Sequence, residues 1–265
     1  MAAITPQLVK ELRDKTDAGM GECKKALVEC GGDLEAAVDY LRKAGIAKSV
    51  RRSDRATKEG KVFALVEGGK AVMLEILCET DFVANNEKFR AFGNEAAKRI
   101  LDATSGSGDI TEAAQKMEEE ELAALFAKFG EKMILSRAVR MESDGLIGNY
   151  LHLGGKIGVL VELEGEANAE IAKNVCLQIA AFNPLYITSK DIPEEAIAHE
   201  REIAKAQLSG KPENIIDKIV MGKLSKWYSE VCLVNQPWIL DDKTCFAKLY
   251  PKVQVKKFIR WGVGQ

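Results

Sequence analysis

Histidine is nearly absent from this chain: 2 of 265 residues. His152 and His199 cannot build a His-rich zinc site or a triad shared among several bases. The 6 cysteines form no C-x-x-C pair and accompany no histidine cluster, so buried free thiols in a reducing compartment are expected. Cys23 and Cys30 lie seven apart, which puts them on one helical face. No apolar run approaches the roughly 18 residues of a membrane span. A dominant charge sign is also missing. Lys and Arg number 38 against 40 Asp and Glu, a net charge of −2, which gives no global basic field pointing to DNA or RNA. Walker loops, G-x-G-x-x-G, nucleophile elbows and metal-spaced acids are lacking. The "GKPEN" stretch has no preceding glycine and reads as a turn. Nothing assembles a nucleophile, a base and an oxyanion site, although a small enzyme using Asp81 and His152 stays open at this point. The opening "MAAITPQLVKELR" has neither an apolar signal core nor an Arg/Ser-rich leader, which predicts a cytosolic chain.

What is present reads as a soluble α+β protein, 46% hydrophobic and 29% charged. Residues 5–45 predict three short helices. Thr5-Pro6 is a cap followed by proline at the first helical position, with Leu8, Val9 and Leu12 inward. Cys23, Ala26, Leu27 and Cys30 follow helical spacing until Gly31-Gly32. Asp33 caps a third helix with Leu34, Ala37, Val38 and Leu41 inward and Gly45 at its end. The "DAGMGE" loop sets Met20 between glycines, where a flexible apolar side chain can sit at the surface. A basic stretch, "AKSVRRSDRATKEGK", has no interleaved aromatic for base stacking and reads as a solvated linker.

An internal echo follows. "EGGKAVMLEIL" (67–77) and "LGGKIGVLVEL" (153–163) align on Gly-Gly-Lys, matching Leu74 to Leu160 and Leu77 to Leu163. Each Gly-Gly predicts a two-residue hairpin turn, followed by a helix. The helical faces are Phe89, Phe92, Ala96 and Ile100 in the first half, and Ile171, Val175, Leu177 and Ile179 in the second. Two related α+β subdomains result, separated by a long helical insertion, "TEAAQKMEEEELAALFAKFGEKMILSRAVR". From 192 to 231 an antiparallel helical hairpin is expected, opened by Pro193, turned at "SGKPEN" and restarted at Pro212. Its seam is Ala196, Ile197, Ile203 and Ala206 against Ile215, Ile219, Leu224 and Tyr228. The tail segments "VCLVNQPWIL" and "KVQVKKFIRWGVGQ" alternate like strands and complete the second sheet.

The echo isolates "CETDFVANN", whose counterpart "EGEANAE" makes the same strand-to-helix connection without an acid–aromatic pair. Packing alone therefore does not demand Asp81-Phe82. From chemistry alone, Asp81, Thr80 and Asn85 or Asn86 compete as helix caps, and Phe82 reads as a core residue, with insertion into a partner's core as the alternative. His152 faces away from Leu151 and Leu153 as a surface or edge histidine. The acidic run 118–121 is a solvated helix face.

"LVKELRDKTDAGMGECKKALVECGGDLEAAVDYLRKAG" together with "TDFVANNEKF" resembles the bacterial elongation factor Ts family, the guanine-nucleotide exchange factors of the GTPase elongation factor Tu. The resemblance covers nearly the whole chain, including "IGVLVEL", "SGKPE", "NQPW" and "FIRWGVG". It implies a three-helix domain similar to ubiquitin-associated domains at 1–46, a basic linker at 47–60 and a core N-subdomain at 61–142. It further implies a core C-subdomain at 143–191 and 232–265, interrupted by a coiled-coil insertion at 192–231. The implied partner is Tu, GDP-bound or nucleotide-free, with no cofactor, no metal, no direct nucleic acid and no membrane. A ubiquitin-binding adaptor is what the helical opening alone would permit. In the family an Asp-Phe pair reaches the GTPase near its magnesium site, a role that falls here on Asp81 and Phe82 with Thr80 and Val83 beside them. His152 and Phe129 match positions contacting the same region, and Leu12 and Met20 are candidate contacts on the base-binding side. Gly21 and Glu22 depart from the family, where many members carry a second Met and an Asp. Between a homodimer and an assembly of two Tu with two Ts chains, the sequence does not choose.

Overall fold

The computed structural model describes residues 4–16, 18–51, 56–206, 208 and 213–265. Three helices open it: α1 (Pro6–Thr16), α2 (Met20–Glu29) and α3 (Leu34–Arg51). The expected caps form, with Leu8 N–H donating to Thr5 Oγ1 at 3.2 Å and Ala36 N–H to Asp33 Oδ1 at 3.0 Å. Val9, Leu12, Cys23, Ala26, Leu27, Ala37 and Leu41 make one core. The third helix does not stop at Gly45. It continues to Arg51, through the expected boundary at 46 and into the basic stretch, of which residues 52–55 lie outside the described residues. An interior glycine costs a helix only about 1 kcal/mol. The packing of α3 along helix α6 (Thr111–Phe129) outweighs that cost.

The rest is layered. Strands β1 (Glu59–Glu67) and β2 (Lys70–Cys78) form a hairpin, followed by the short helix α4 (Asp81–Ala84) and by α5 (Glu87–Ala103). Strand β3 (Gly108–Asp109) precedes α6, and β4 (Ile134–Glu142) follows it. These strands make an antiparallel sheet in the order β1-β2-β4-β3. The second sheet, in the order β5-β6-β9, joins β5 (Leu146–His152), β6 (Ile157–Gly165) and β9 (Val253–Gly262). Between β6 and β9 lie α7 (Ala169–Phe182), α8 (Glu194–Ala206), α9 (Glu213–Val231), the β7 (Pro237–Trp238) and β8 (Asp241–Cys245) ribbon, and α10 (Phe246–Leu249).

Strand periodicity explains the stacking. Phe63, Val72, Leu74 and Ile76 face α5 and α6, whereas Val62, Ala71 and Met73 face the second sheet and meet Leu160 and Ile147. On β6, Val159, Val161 and Leu163 turn outward to Val175, Cys176 and Ile179 of α7. Each sheet is thus apolar on both faces, and "AVMLEILC" reads as one continuous run because both its faces are covered. Helix α5 approaches β1 closely through Gly93, where a Cβ would lie 2.2 Å from the Phe63 ring.

Several sequence expectations change. "MILSRAVRM" is no part of a helical insertion: Gly130 ends α6 with φ 70, and β4 pairs with β2 near the centre of the sheet. The run 118–121 is not wholly solvated, because Glu118 is 0% exposed and its carboxylate pairs with Arg99 of α5 at 3.1 and 2.5 Å. The inward face of α7 is Ala172, Val175, Cys176 and Ile179, with Leu177 only half-buried. In the α8–α9 pair, Ala204 and Leu208 pack on Val220 and Leu224, while Ile203 faces solvent and Ala206 is exposed. Pro212 and the residues 209–211 of the turn lie outside the described residues. "VCLVNQPWIL" adds no strand to the second sheet. Its Pro237 and Trp238 form the separate β7–β8 ribbon, and Trp238 stacks against Phe246 and Tyr250.

Candidate functional site

The connection "CETDFVANN" is built from two caps. Thr80 caps α4, accepting from Val83 N–H at 3.4 Å, and Asn86 caps α5, accepting from Lys88 N–H at 2.9 Å. Asp81 is therefore the first residue of α4 rather than its cap, and it is exposed. One turn of helix cannot sustain itself, so its anchoring comes from elsewhere. Glu131, just beyond the C-terminus of α6, accepts from Thr80 N–H at 3.0 Å and from Thr80 Oγ–H at 2.6 Å. Val83 and Ala84 are buried in the core under α4. Helix α4 is pinned from below and from its start, and its free side presents Phe82 at 84% exposure. The core reading of Phe82 is overturned, for its ring has no place in the layer that Val83 and Ala84 fill.

Phe129 lies two residues before Glu131, half-buried against the same core, with Lys128 Nζ 5.9 Å from its ring centroid. Beneath the connection, the Cys78 thiol donates to Thr80 O at 3.1 Å and is pushed up to about 12, by burial first and then by the Glu131 carboxylate. It is an inert packing thiol.

His152 ends β5 and lies 3.1 Å, through Nδ1, from Tyr150 Oη. The turn after it is not the expected two-residue one. At the first hairpin Glu67 pairs with Lys70 across Gly68-Gly69, but at the second His152 pairs with Ile157 across Leu153, Gly154, Gly155 and Lys156. The longer turn docks onto β1. Val62 N–H donates to Gly155 O at 2.7 Å, and Lys61 Nζ donates to Gly154 O at 2.7 Å. A Cβ on Gly155 would lie 2.7 Å from Val62 O, so only glycine fits there. Lys61 is 5% exposed, and burial, then Lys156 and Arg90, hold its pKa below the ordinary lysine value. Lys156 pairs with Glu59, whose β partner is Cys78. The His152 turn and the Asp81-Phe82 helix therefore sit at the same open end of the β1–β2 hairpin.

The two helical-domain candidates separate. Met20 is 54% exposed, but Leu12 is 0% exposed inside the three-helix core and has no surface to offer a partner. The inward spacing of Leu8, Val9 and Leu12 already signalled this. Sequence reasoning missed Glu131 and Lys61, because each acts across a gap that only the tertiary fold closes.

Among the described residues no group of His, Cys, Asp and Glu is placed to hold a metal ion, and no helix is long and apolar enough to cross a membrane. What this end of the molecule does offer is an aromatic ring held out from a rigid frame, the mark of a protein that works by docking on another. A family model described as elongation factor TS matches residues 79–265, and the chain belongs to the elongation factor Ts family. Members of that family are exchange factors that act on elongation factor Tu in translation and are not catalytic enzymes. The enzymatic reading of Asp81 and His152 therefore falls away.

Proposed function

We propose that this chain promotes GDP release from Tu by inserting Phe82 beside the magnesium and phosphate side of the nucleotide site. Thr80 and Val83 hold the helix, Asp81 opens it, and Phe129 and His152 flank the ring. On the helical unit, Met20 touches the base side, with Leu12 acting only as the core beneath it. Thermodynamic linkage gives the mechanism: if Tu binds GDP and Mg²⁺ less well with Phe82 inserted, GDP weakens the binding of this chain by the same factor. Displacing the cation unbalances the charge around a polyanion and promotes its departure. The product is a nucleotide-free complex that GTP then resolves. In this reading α1, α2 and α3 form a UBA-like domain joined through the basic stretch to two core subdomains. The α8–α9 pair is a coiled-coil insertion, the chain works in the cytoplasm, and it acts as a homodimer or in an assembly of two Tu with two Ts chains.

The observation that carries the reading is the 84% exposure of Phe82 on a helix whose start is capped by Thr80 and whose Val83 and Ala84 are buried. An exposed aromatic on a rigid frame contributes nothing to its own fold and is suited to a partner's pocket. Release of a fluorescent GDP analogue from Tu tests it. Phe82→Ala should cost at least tenfold in acceleration, since burial of a Phe ring is worth about 1.5–3 kcal/mol. Acceleration equal to that of the unmodified chain would rule the wedge out.

A further inference from the structure

The β5–β6 turn carries a residue that the Phe82 mechanism leaves unused. Leu153 has its backbone at φ 48, in the left-handed region, and its side chain is 70% exposed. An apolar side chain in water on a strained backbone gives the fold no benefit. Glycine would hold this backbone freely, and the next positions use it: Gly154 at φ 63 and Gly155 at φ 96.

The turn also has no freedom to relax. Gly155 N–H and Lys156 N–H both donate to His152 O, at 3.1 and 3.0 Å. Val62 and Lys61 hold the two glycine carbonyls from β1, and Val263 N–H donates to Lys156 O at 3.0 Å. Leu153 thus projects from the tip of a turn fastened on three sides. Its fastening point on β1 lies at the end where Cys78 leads into Thr80 and α4. The turn that carries Leu153 and the helix that carries Phe82 thus both lie at the open end of the β1–β2 hairpin.

We propose that Leu153 is a further partner-binding side chain, an apolar contact that Tu buries beside Phe82, with the Lys61–Gly154 bond fixing the spacing between the two. The proposal rests on the Phe82 reading and extends that surface across the neighbouring turn. Tu is the occupant because it is the partner of this family and the surface is continuous with the wedge. A rigid pair of apolar tips suits a preformed apolar recess on a folded domain, since little ordering entropy remains to be lost.

The test uses the full chain with Leu153→Gly, Leu153→Asn and Phe82→Ala, measuring GDP release from Tu over a range of factor concentrations, and thermal midpoints without Tu. Both Leu153 variants should keep or raise the midpoint, because glycine and asparagine accept the left-handed backbone. Both should need roughly tenfold more protein for half-maximal acceleration. Wild-type concentration dependence in both variants overturns the proposal. So does a midpoint lowered by several degrees in both, which would make Leu153 a structural residue. Phe82→Ala separates the two readings: if it also behaves as wild type the wedge itself fails, and if it alone is impaired only the Leu153 contact is lost.

Discussion

Replacing Glu131 with alanine should weaken nucleotide exchange although Glu131 lies behind the ring that we propose meets the partner. Its carboxylate holds Thr80 through two hydrogen bonds, at 3.0 and 2.6 Å, and Thr80 in turn caps α4. Hydrogen bonds to a charged group are worth about 1.5–3 kcal/mol each. Both residues here are half-buried and reachable by water, so about 2 kcal/mol for the pair is the working figure. That energy acts locally. The buried core under α4, made by Val83, Ala84, Phe89 and Phe92, does not touch the lost bonds, so the global melting midpoint should shift little. The orientation of a four-residue helix is what changes. If only the anchored orientation binds, apparent affinity falls by the anchored fraction, and about 2 kcal/mol corresponds to roughly 30-fold.

The assay is GDP release from Tu titrated with four chains: wild type, Glu131→Ala, Phe82→Ala and the double variant. If Glu131 acts by aiming Phe82, its removal adds little once the ring is gone, and the double-mutant cycle shows strong coupling. Glu131→Gln, which keeps one acceptor, should fall between. Losses that simply add would show that Glu131 touches the partner independently, and the aiming argument would be wrong.

Arg99→Ala should destabilise the fold by about 3 kcal/mol in urea unfolding, because it strands the fully buried Glu118 carboxylate. Adding Glu118→Gln should recover much of that loss. For the thiols, Cys78 and Cys176 are both raised from 9.0 to about 12, chiefly by burial. A raised folded pKa favours the protonated form, so this stability is full below pH 9 and is lost as pH rises towards 12. Cys176→Ala should flatten the alkaline fall in stability relative to wild type, and equal slopes would contradict the assignment. In the native state at neutral pH, a thiol reagent should reach the half-buried Cys30 and Cys245 well before the buried Cys23, Cys78, Cys176 and Cys232.

The helical opening was legible because its signals are local. Thr5, Asp33 and the Gly31-Gly32 stop act within a few residues, and the caps form as read. Where α3 ends was not legible, since its continuation past Gly45 depends on α6, more than sixty residues away in sequence. Strand β4 was hidden for a similar reason. Its run follows a strong helix former and is separated from it only by Gly130 and a short turn. Glu118 looks like any surface glutamate until α5 brings Arg99 across it. At the site, Asp81-Phe82 stood out because the echoed connection lacks the pair, yet the exposure of the ring is a tertiary fact. The same holds for the turn after His152, where Gly-Gly-Lys reads alike in both halves. Only the docking onto Val62 makes the second turn longer.

If Phe82 and Leu153 meet one partner at fixed spacing, the two sheets must not slide. The apolar layer between the sheets, with Met73 and Val139 against Ile147 and Leu160, is non-directional and would tolerate a shift. The directional element lies inside that layer. Glu75, 2% exposed in the middle of β2, accepts from Ser136 Oγ, from Arg137 Nη2 at 3.1 Å and from Gly264 N–H at 3.1 Å. Arg137 also donates to Gly262 O at 2.9 Å and stacks 4.6 Å from the Trp261 ring centroid. Strand β4 of the first sheet is thereby tied to the end of β9 in the second. A shift by one residue would strand a buried carboxylate and a guanidinium together, a penalty far above that of sliding one apolar side chain past another. Burying an ion pair is weak as a source of stability, but here it selects one register. With α4 fixed to the first sheet and the His152 turn at the end of β5 in the second, that register sets the distance between Phe82 and Leu153.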